Sequence, residues 1–353
     1  MTSKAFGLAQ LGNAFNDGAL SNRSKIINGA MVIDQRNAGA AVTADNTFLV
    51  DRWGQRQVGG GSLSYQQSST APAGFTNSLS VTVATADASI AAGDNYHLFH
   101  RIEGFNTADL GFGSASAQSV TLSFWVRSSL TGTFGGCLQN SGANRSYVFQ
   151  YAISAADTWE YKTITIAGDT SGTWLTTNGQ GIGVIYDMGC GTNFDGTANA
   201  WNAANNRRAS GNVQLVGTLN ATWQITGVQL EAGDNAATPF EHRSFGQELA
   251  LCQRYYWKNR PSSLYTYIAV GISRVTYMGL LIQYPQVMRA APTFNYSNLA
   301  ADNGTLTTAL ATYAGDTSAL YQLFTTSGPP SGDANSLRSN SAGVGFLEAT
   351  AEL

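Results

Sequence analysis

The stretch Ser119-Val-Thr-Leu-Ser-Phe-Trp-Val-Arg-Ser128 decides how this chain is read. Its side chains alternate, with Leu122, Phe124 and Val126 on one face of an extended segment and Thr121, Ser123 and Trp125 on the other. Further along, Gly227-Val-Gln-Leu-Glu-Ala-Gly233 alternates in the same way, with Val228 and Leu230 set against Gln229 and Glu231. Between and around them, short alternating runs at 47–53, 79–83, 96–102, 147–153, 159–166 and 181–186 are bounded by Gly, Asn, Ser and Asp. With 120–126 and 222–230 these make eight strands, and strands at such spacing predict an antiparallel sandwich. The jelly roll is the double-sheet form of that solution.

Composition narrows the function classes. The chain has 353 residues, too many for one sandwich and enough for two domains. Charged residues are 12%, about half of the roughly 25% usual in soluble domains, so solubility rests on Ser, Thr, Asn, Gln and Gly. Hydrophobic residues at 43% exclude a disordered chain. The net charge is −3 and the basic residues are scattered, which argues against a nucleic-acid binder. No apolar run reaches bilayer length, and residues 1–20 carry no secretory signal, so assembly in a cytoplasm without membrane insertion is expected. Cys137, Cys190 and Cys252 are widely spaced, and buried thiols are expected rather than a disulfide framework or a zinc site.

Residues 1–25 read as a separate piece in which Ala5, Leu8, Ala9, Leu11 and Phe15 recur at near-helical spacing, interrupted by Gly7, Gly12 and Gly18. Such a segment orders on a partner rather than alone. Residues 26–243 carry the sandwich and 244–260 a connecting helix. In that helix Ser244 and Gln247 offer a capping box, and Phe245, Leu249, Cys252 and Tyr256 share one face through to Trp257. Residues 261–353 form a small β domain, poor in large apolar side chains, whose weak core calls for threefold association.

Ser-Phe-Trp-Val-Arg and Val-Gln-Leu-Glu resemble the internal and final strands of jelly-roll carbohydrate-binding modules. Lys25-Ile-Ile-Asn-Gly-Ala-Met31, followed by Asp34-Gln-Arg-Asn37, stands where such modules open. That opening, joined to Glu241-His-Arg243 and Leu249-Ala-Leu-Cys-Gln-Arg-Tyr-Tyr-Trp257, resembles a class of tailed-phage fibre proteins over roughly residues 20–260. The resemblance implies a homotrimeric virion protein. Residues 1–25 would dock on a tail or capsid protein, and the jelly roll would attach the particle to a host-surface glycan or receptor. The family's structural calcium is not expected here: Val32 follows the opening motif and Thr226-Gly227 precedes Val228, so the side-chain ligands are missing. No cofactor is implied.

Attachment by stacking would use aromatic faces outside the core, and the candidates are Tyr65, Tyr96, Trp125, Trp159, Tyr161, Trp174 and Trp201. Each could equally pack against the sandwich or serve a subunit contact. Catalysis would need two facing carboxyls. The acids Asp51, Glu103, Asp109, Asp157, Glu160, Asp187, Asp195 and Glu231 provide no such signature in sequence, and His97, His100 and His242 lack metal spacing. The chain is therefore read as a non-enzyme. The rivals are a structural decoration or tail-accessory fibre and a polysaccharide depolymerase, although the long β-helical repeat usual in the latter is absent.

Overall fold

The computed structural model describes residues 22–234, 237–260, 263–274, 277–302, 305–327, 332–340 and 345–353, together with Lys4. The expected docking segment, 1–25, thus lies outside the described residues except at Lys4 and 22–25. The chain divides into two compact units, Met1–Phe245 with Leu353, and Gly246–Glu352.

The first unit is an antiparallel sandwich. One sheet orders β1 (Trp53–Val58), β4 (Asn95–Glu103), β9 (Gln180–Asp187), β6 (Gly132–Gln139), β7 (Ser146–Ile153) and β10 (Ala200–Asn202). The other orders β2 (Ser62–Ser68), β3 (Ser78–Thr85), β11 (Thr222–Ala232), β5 (Val120–Ser128) and β8 (Glu160–Ile166). Leu122, Phe124 and Val126 of β5 are fully buried between the sheets, as their alternation predicts. Phe124 meets the ring of Tyr186 at 5.3 Å, and Tyr186 meets Trp223 at 5.6 Å, so large aromatic side chains fill the space between the layers.

The opening motif and the last strand meet directly. β11 carries a bulge between Thr226 and Gln229, and there the amide of Val228 donates to the carbonyl of Gly29 at 3.0 Å. The amide of Lys25 donates to Leu230 O at 2.8 Å. Asn28 adopts φ 57 and is fully buried; its Nδ2 donates to Ile33 O (2.8 Å) and Asp51 O (2.9 Å), while its carbonyl accepts from the Trp53 indole at 3.1 Å. The exit strap crosses the outer face of the same strand. Gln229 Oε1 accepts from the Glu241 amide (2.9 Å), and Glu231 Oε1 accepts from the Thr238 amide (2.9 Å). The polar half of the Val-Gln-Leu-Glu pattern is thereby satisfied by the chain that follows it.

Three sequence expectations are corrected. Residues 47–53 form a tight reversal, not a strand: Leu49 N donates to Trp53 O at 2.7 Å, and Arg52 takes φ 74. Residues 132–139 are not among the expected strands, yet β6 lies inside the sheet between β9 and β7. At Gly136 a Cβ would lie 2.0 Å from Ile185 O and 2.6 Å from the Phe149 ring, so close packing requires glycine in the strand. The helix, α1 (Phe245–Gln253), is shorter than predicted, because Tyr256 and Trp257 pair with Thr350 and Ala349. Sheet pairing of two aromatic residues overrides their helical spacing. Of the expected apolar face Cys252 and Tyr256 are buried and Leu249 is half-buried, whereas Phe245 is 64% exposed and Glu248 is buried.

The second unit holds α1 and two antiparallel sheets. In the smaller, β20 (Phe346–Thr350) lies between β12 (Tyr256–Asn259) and β15 (Thr293–Ser297). The larger orders β16 (Leu299–Ala301), β19 (Ala334–Ser339), β13 (Tyr267–Ser273), β14 (Tyr277–Gln283), β18 (Ser318–Ser327) and β17 (Thr305–Ala314). Met278, Leu280, Leu337 and Leu347 are fully buried in its core.

The contact between the opening motif and β11 is open to test. At Gly29 a Cβ would lie 2.1 Å from the backbone oxygen of Val228, which cannot withdraw without losing the bulge. Gly29→Ala is expected to destabilise the sandwich by on the order of 3 kcal/mol, measured by urea unfolding.

Candidate functional site

Alternation along β4 builds two different surfaces. Tyr96, Leu98 and Ile102 enter the core, while His97, Phe99 and Arg101 point to the outer face of the six-stranded sheet. Register sets their neighbours on that face: Arg56 stands opposite His97, Ile185 opposite Phe99, and Gly183 opposite Arg101. Gly183 also faces Gln139 of β6. With the loops at Asn46, Asn140 and Arg207, these residues line an open cleft of about 400 Å³.

The cleft floor is apolar and its walls are polar. Phe99, Cys137 and Ile185 pack together, with Phe48 edge-on to Phe99 at 6.0 Å. The guanidinium of Arg101 lies 4.3 Å over the Phe99 ring and donates to the main-chain oxygen of Leu353. Arg207 stacks over Phe194 at 4.4 Å, and its Nε and Nη1 have no hydrogen-bond partner among the described residues. Arg56 pairs with Asp45 at 2.9 Å at the rim. Gln139 Nε2 donates to Asn205 Oδ1 at 2.8 Å, and His97 Nδ1 lies 2.7 Å from Asn95 Oδ1. The amide oxygen can only accept, so Nδ1 carries the His97 proton. Burial, reinforced by the positive charge of Arg207, Arg101 and Arg56, holds the His97 imidazole neutral, with its pKa well below the usual value. The site thus offers planar donors and acceptors around an apolar floor.

None of the seven predicted aromatics lines this cleft. Tyr65 and Tyr96 are fully buried, and Trp174 is 9% exposed, so these three offer no ring face to a ligand. Tyr96 instead donates to Asp87 at 2.9 Å. Trp201 packs edge-on against Trp174 at 5.5 Å, with its indole donating to Ala167 O at 2.8 Å. Trp125 and Tyr161 are brought together across β5 and β8 at 5.3 Å, with Tyr161 43% exposed on the outer face of the five-stranded sheet. Trp159, half-buried, precedes β8.

The acids are dispersed. Asp109 pairs with Lys25, Asp157 with Arg127, Glu160 with Lys162 and Asp195 with Arg208. Glu231 holds the exit strap, and Asp51 and Glu103 are buried. No described carboxylate lines the cleft, and no group of His, Cys, Asp and Glu gathers at metal-binding spacing among the described residues. His100 sits inside, with Nε2 3.0 Å from Ile27 O, and His242 packs edge-on with Phe240 at 4.9 Å. The three cysteines are free and buried; burial pushes the Cys137 thiol up to about 12.

No protein-family model matches this chain, and no curated protein does. Similar solved structures include the enzymatically active domain of tailspike protein 4 of bacteriophage CBA120, at 11% identity and TM-score 0.31. That likeness covers 59% of this chain and 21% of the tailspike chain. A family 11 carbohydrate-binding module of a Clostridium thermocellum cellulase is 12% identical at TM-score 0.29, over 57% of this chain and 99% of the module. A putative sugar-binding protein from Bacteroides thetaiotaomicron is 12% identical at TM-score 0.31, over 60% of this chain and all (100%) of that one. Likenesses at these scores assign neither family nor ligand.

Asp187 stands opposite His97 in the ladder and is buried beside the cleft, where Oδ1 accepts from the amides of Gly189 (3.0 Å) and Cys190 (2.7 Å). Burial pushes its carboxyl up to about 6. A raised folded pKa contributes stability that is present below the unfolded value and is lost as pH rises through the folded one. Asp187→Asn keeps the acceptor and does not titrate. Relative to the parent, the variant is expected to gain about 3 kcal/mol between about pH 4 and about pH 7, measured by urea unfolding at both.

Proposed function

We propose that this chain is a non-catalytic adhesin of a phage particle, and that the cleft on the six-stranded sheet takes a host-surface glycan. The observation that carries the reading is the composition of that cleft. Arginine and amide side chains line it above Phe99 and Ile185, which are almost wholly buried, and no carboxylate lines it among the described residues. Sugar hydroxyls match planar donors and acceptors of this kind, and a few convergent polar groups over apolar lining are the usual make-up of a ligand site. A glycosidase would need two carboxyls across the same space. The virion part of the reading rests on the resemblance of the opening motif, Glu241-His-Arg243 and the 249–257 segment to tailed-phage fibre proteins.

A second contact is favoured by one observation, the Trp125–Tyr161 pair, in which Tyr161 is exposed and Trp125 half-buried, so that two neighbouring rings reach the outer face of the five-stranded sheet. Retention of the full-length protein on host cells, with free host polysaccharide as competitor, separates the two. Gln139→Ala is expected to weaken retention about tenfold with the melting temperature unchanged. Loss of retention in Trp125→Ala or Tyr161→Ala with Gln139→Ala unaffected would move the site to the other sheet. No retention of the parent protein leaves a structural decoration fibre, and release of reducing ends would mark a depolymerase.

We also propose a homotrimer built through the second unit. On its larger sheet Val270, Ile272 and Leu281 are 74%, 51% and 66% exposed and share a face, since Leu280 and Ile282 of β14 turn inward. Contiguous apolar residues left open on one sheet face mark an interaction surface. Val270→Lys with Leu281→Lys is expected to sediment as a monomer while both units retain their fold by circular dichroism.

A further inference from the structure

Several cations elsewhere in the sandwich meet carboxylates: Arg127 meets Asp157, Arg145 meets Asp169 at 2.6 Å, Arg208 meets Asp195 and Arg243 meets Glu241. The cleft differs from these pairs. Arg56, Arg101 and Arg207 all line it, and only Arg56 has a side-chain carboxylate, Asp45, at a partly exposed rim position. Arg101 has a main-chain oxygen and the Phe99 ring. Arg207 has a ring beneath it, with two buried N–H groups lacking any acceptor among the described residues. His97 between them is neutral and adds no charge, and the nearby carboxylate of Asp187 is buried on amide donors. A chain of net charge −3 has therefore placed one guanidinium, that of Arg207, on a concave space with no carboxylate partner among the described residues. Leaving a half-buried cation unpaired costs free energy that an anionic ligand group would recover, through charge-assisted hydrogen bonds stronger than those a neutral hydroxyl forms.

We infer that the cleft selects an acidic glycan, one whose sugars carry carboxylate or sulfate groups, over a neutral one. The inference rests on the glycan-binding reading above and adds the ligand class. An extended polyanion such as nucleic acid is a poorer fit. It would call for a continuous basic stripe, whereas here the three arginines are interspersed with the neutral side chains of Asn46, Asn140, Ser141 and Gln180.

The test uses the full chain in calorimetric titration against polygalacturonate, the same polymer with its carboxyls reduced to alcohols, dextran, dextran sulfate and a single-stranded oligonucleotide. Polygalacturonate or dextran sulfate is expected to bind about tenfold or more tighter than its neutral counterpart, and whichever of the two binds names the anion. Added salt should reduce that preference, and Arg207→Gln should abolish it at unchanged melting temperature. Should Arg207→Gln fail to fold, Arg56→Gln and the salt dependence of the parent protein carry the same test. Equal binding of the acidic and reduced polymers overturns the acidic selectivity while leaving glycan binding in place. Tightest binding to the oligonucleotide overturns it as well. Binding to no glycan removes the glycan reading itself.

Discussion

The sandwich is organised around one close approach, the backbone of Gly29 lying against the carbonyl of Val228 at the β11 bulge. Any side chain at Gly29 would occupy the space of that oxygen. The bulge turns the Val228 amide toward Gly29 and keeps Ile225 and Leu230 in the core on either side. From this point Asn28 reaches Ile33 and Asp51, and its carbonyl receives the Trp53 indole, so the first residues of β1 are fixed by the opening motif. The Trp53 ring in turn meets His100 at 5.0 Å, which ties β4, and hence the cleft wall, to the same contact.

The two outer faces acquire different fates from this arrangement. On the five-stranded sheet, Gln229 and Glu231 are spent holding the exit strap, and part of that face is covered. On the six-stranded sheet Phe48 covers Phe99, and His97, Arg101 and Gly183 of β4 and β9 border the cleft.

Much of the first unit was legible in the sequence. Runs of strict alternation with β-branched and aromatic residues, at β3, β4, β5, β7, β8, β9 and β11, matched the strands found. Glycine and aromatic residues were misleading wherever tertiary contacts decided their use. The run 132–139, with Gly135 and Gly136 in it, carries no alternating apolar pattern and is not among the expected strands, although its glycines serve close packing inside the sheet. Tyr65 and Tyr96 looked like recognition residues and are core. The cleft is not built from aromatic platforms, the feature by which a sugar site is most legible in a sequence. Its signal was present in β4, where His97, Phe99 and Arg101 alternate against Tyr96, Leu98 and Ile102. Finding it also required the register with Ile185 and Gly183, and Arg207 from a distant loop. Such pairings are set by long-range packing, which local periodicity does not encode.

The clasp between chain entry and exit has a mechanical consequence. Arg243 donates to Ser24 O at 2.7 Å and to Ile26 O at 3.0 Å, and Glu241 accepts from the Ser24 amide at 2.9 Å. A tension applied along the chain through residues 24 and 243 is therefore taken up by these few bonds side by side. The strands of both sheets lie outside the load path until the clasp opens. A ligand held in the cleft would experience a rigid sheet while the pull passes beside it, so that detachment under force and unfolding of the sandwich become separate events.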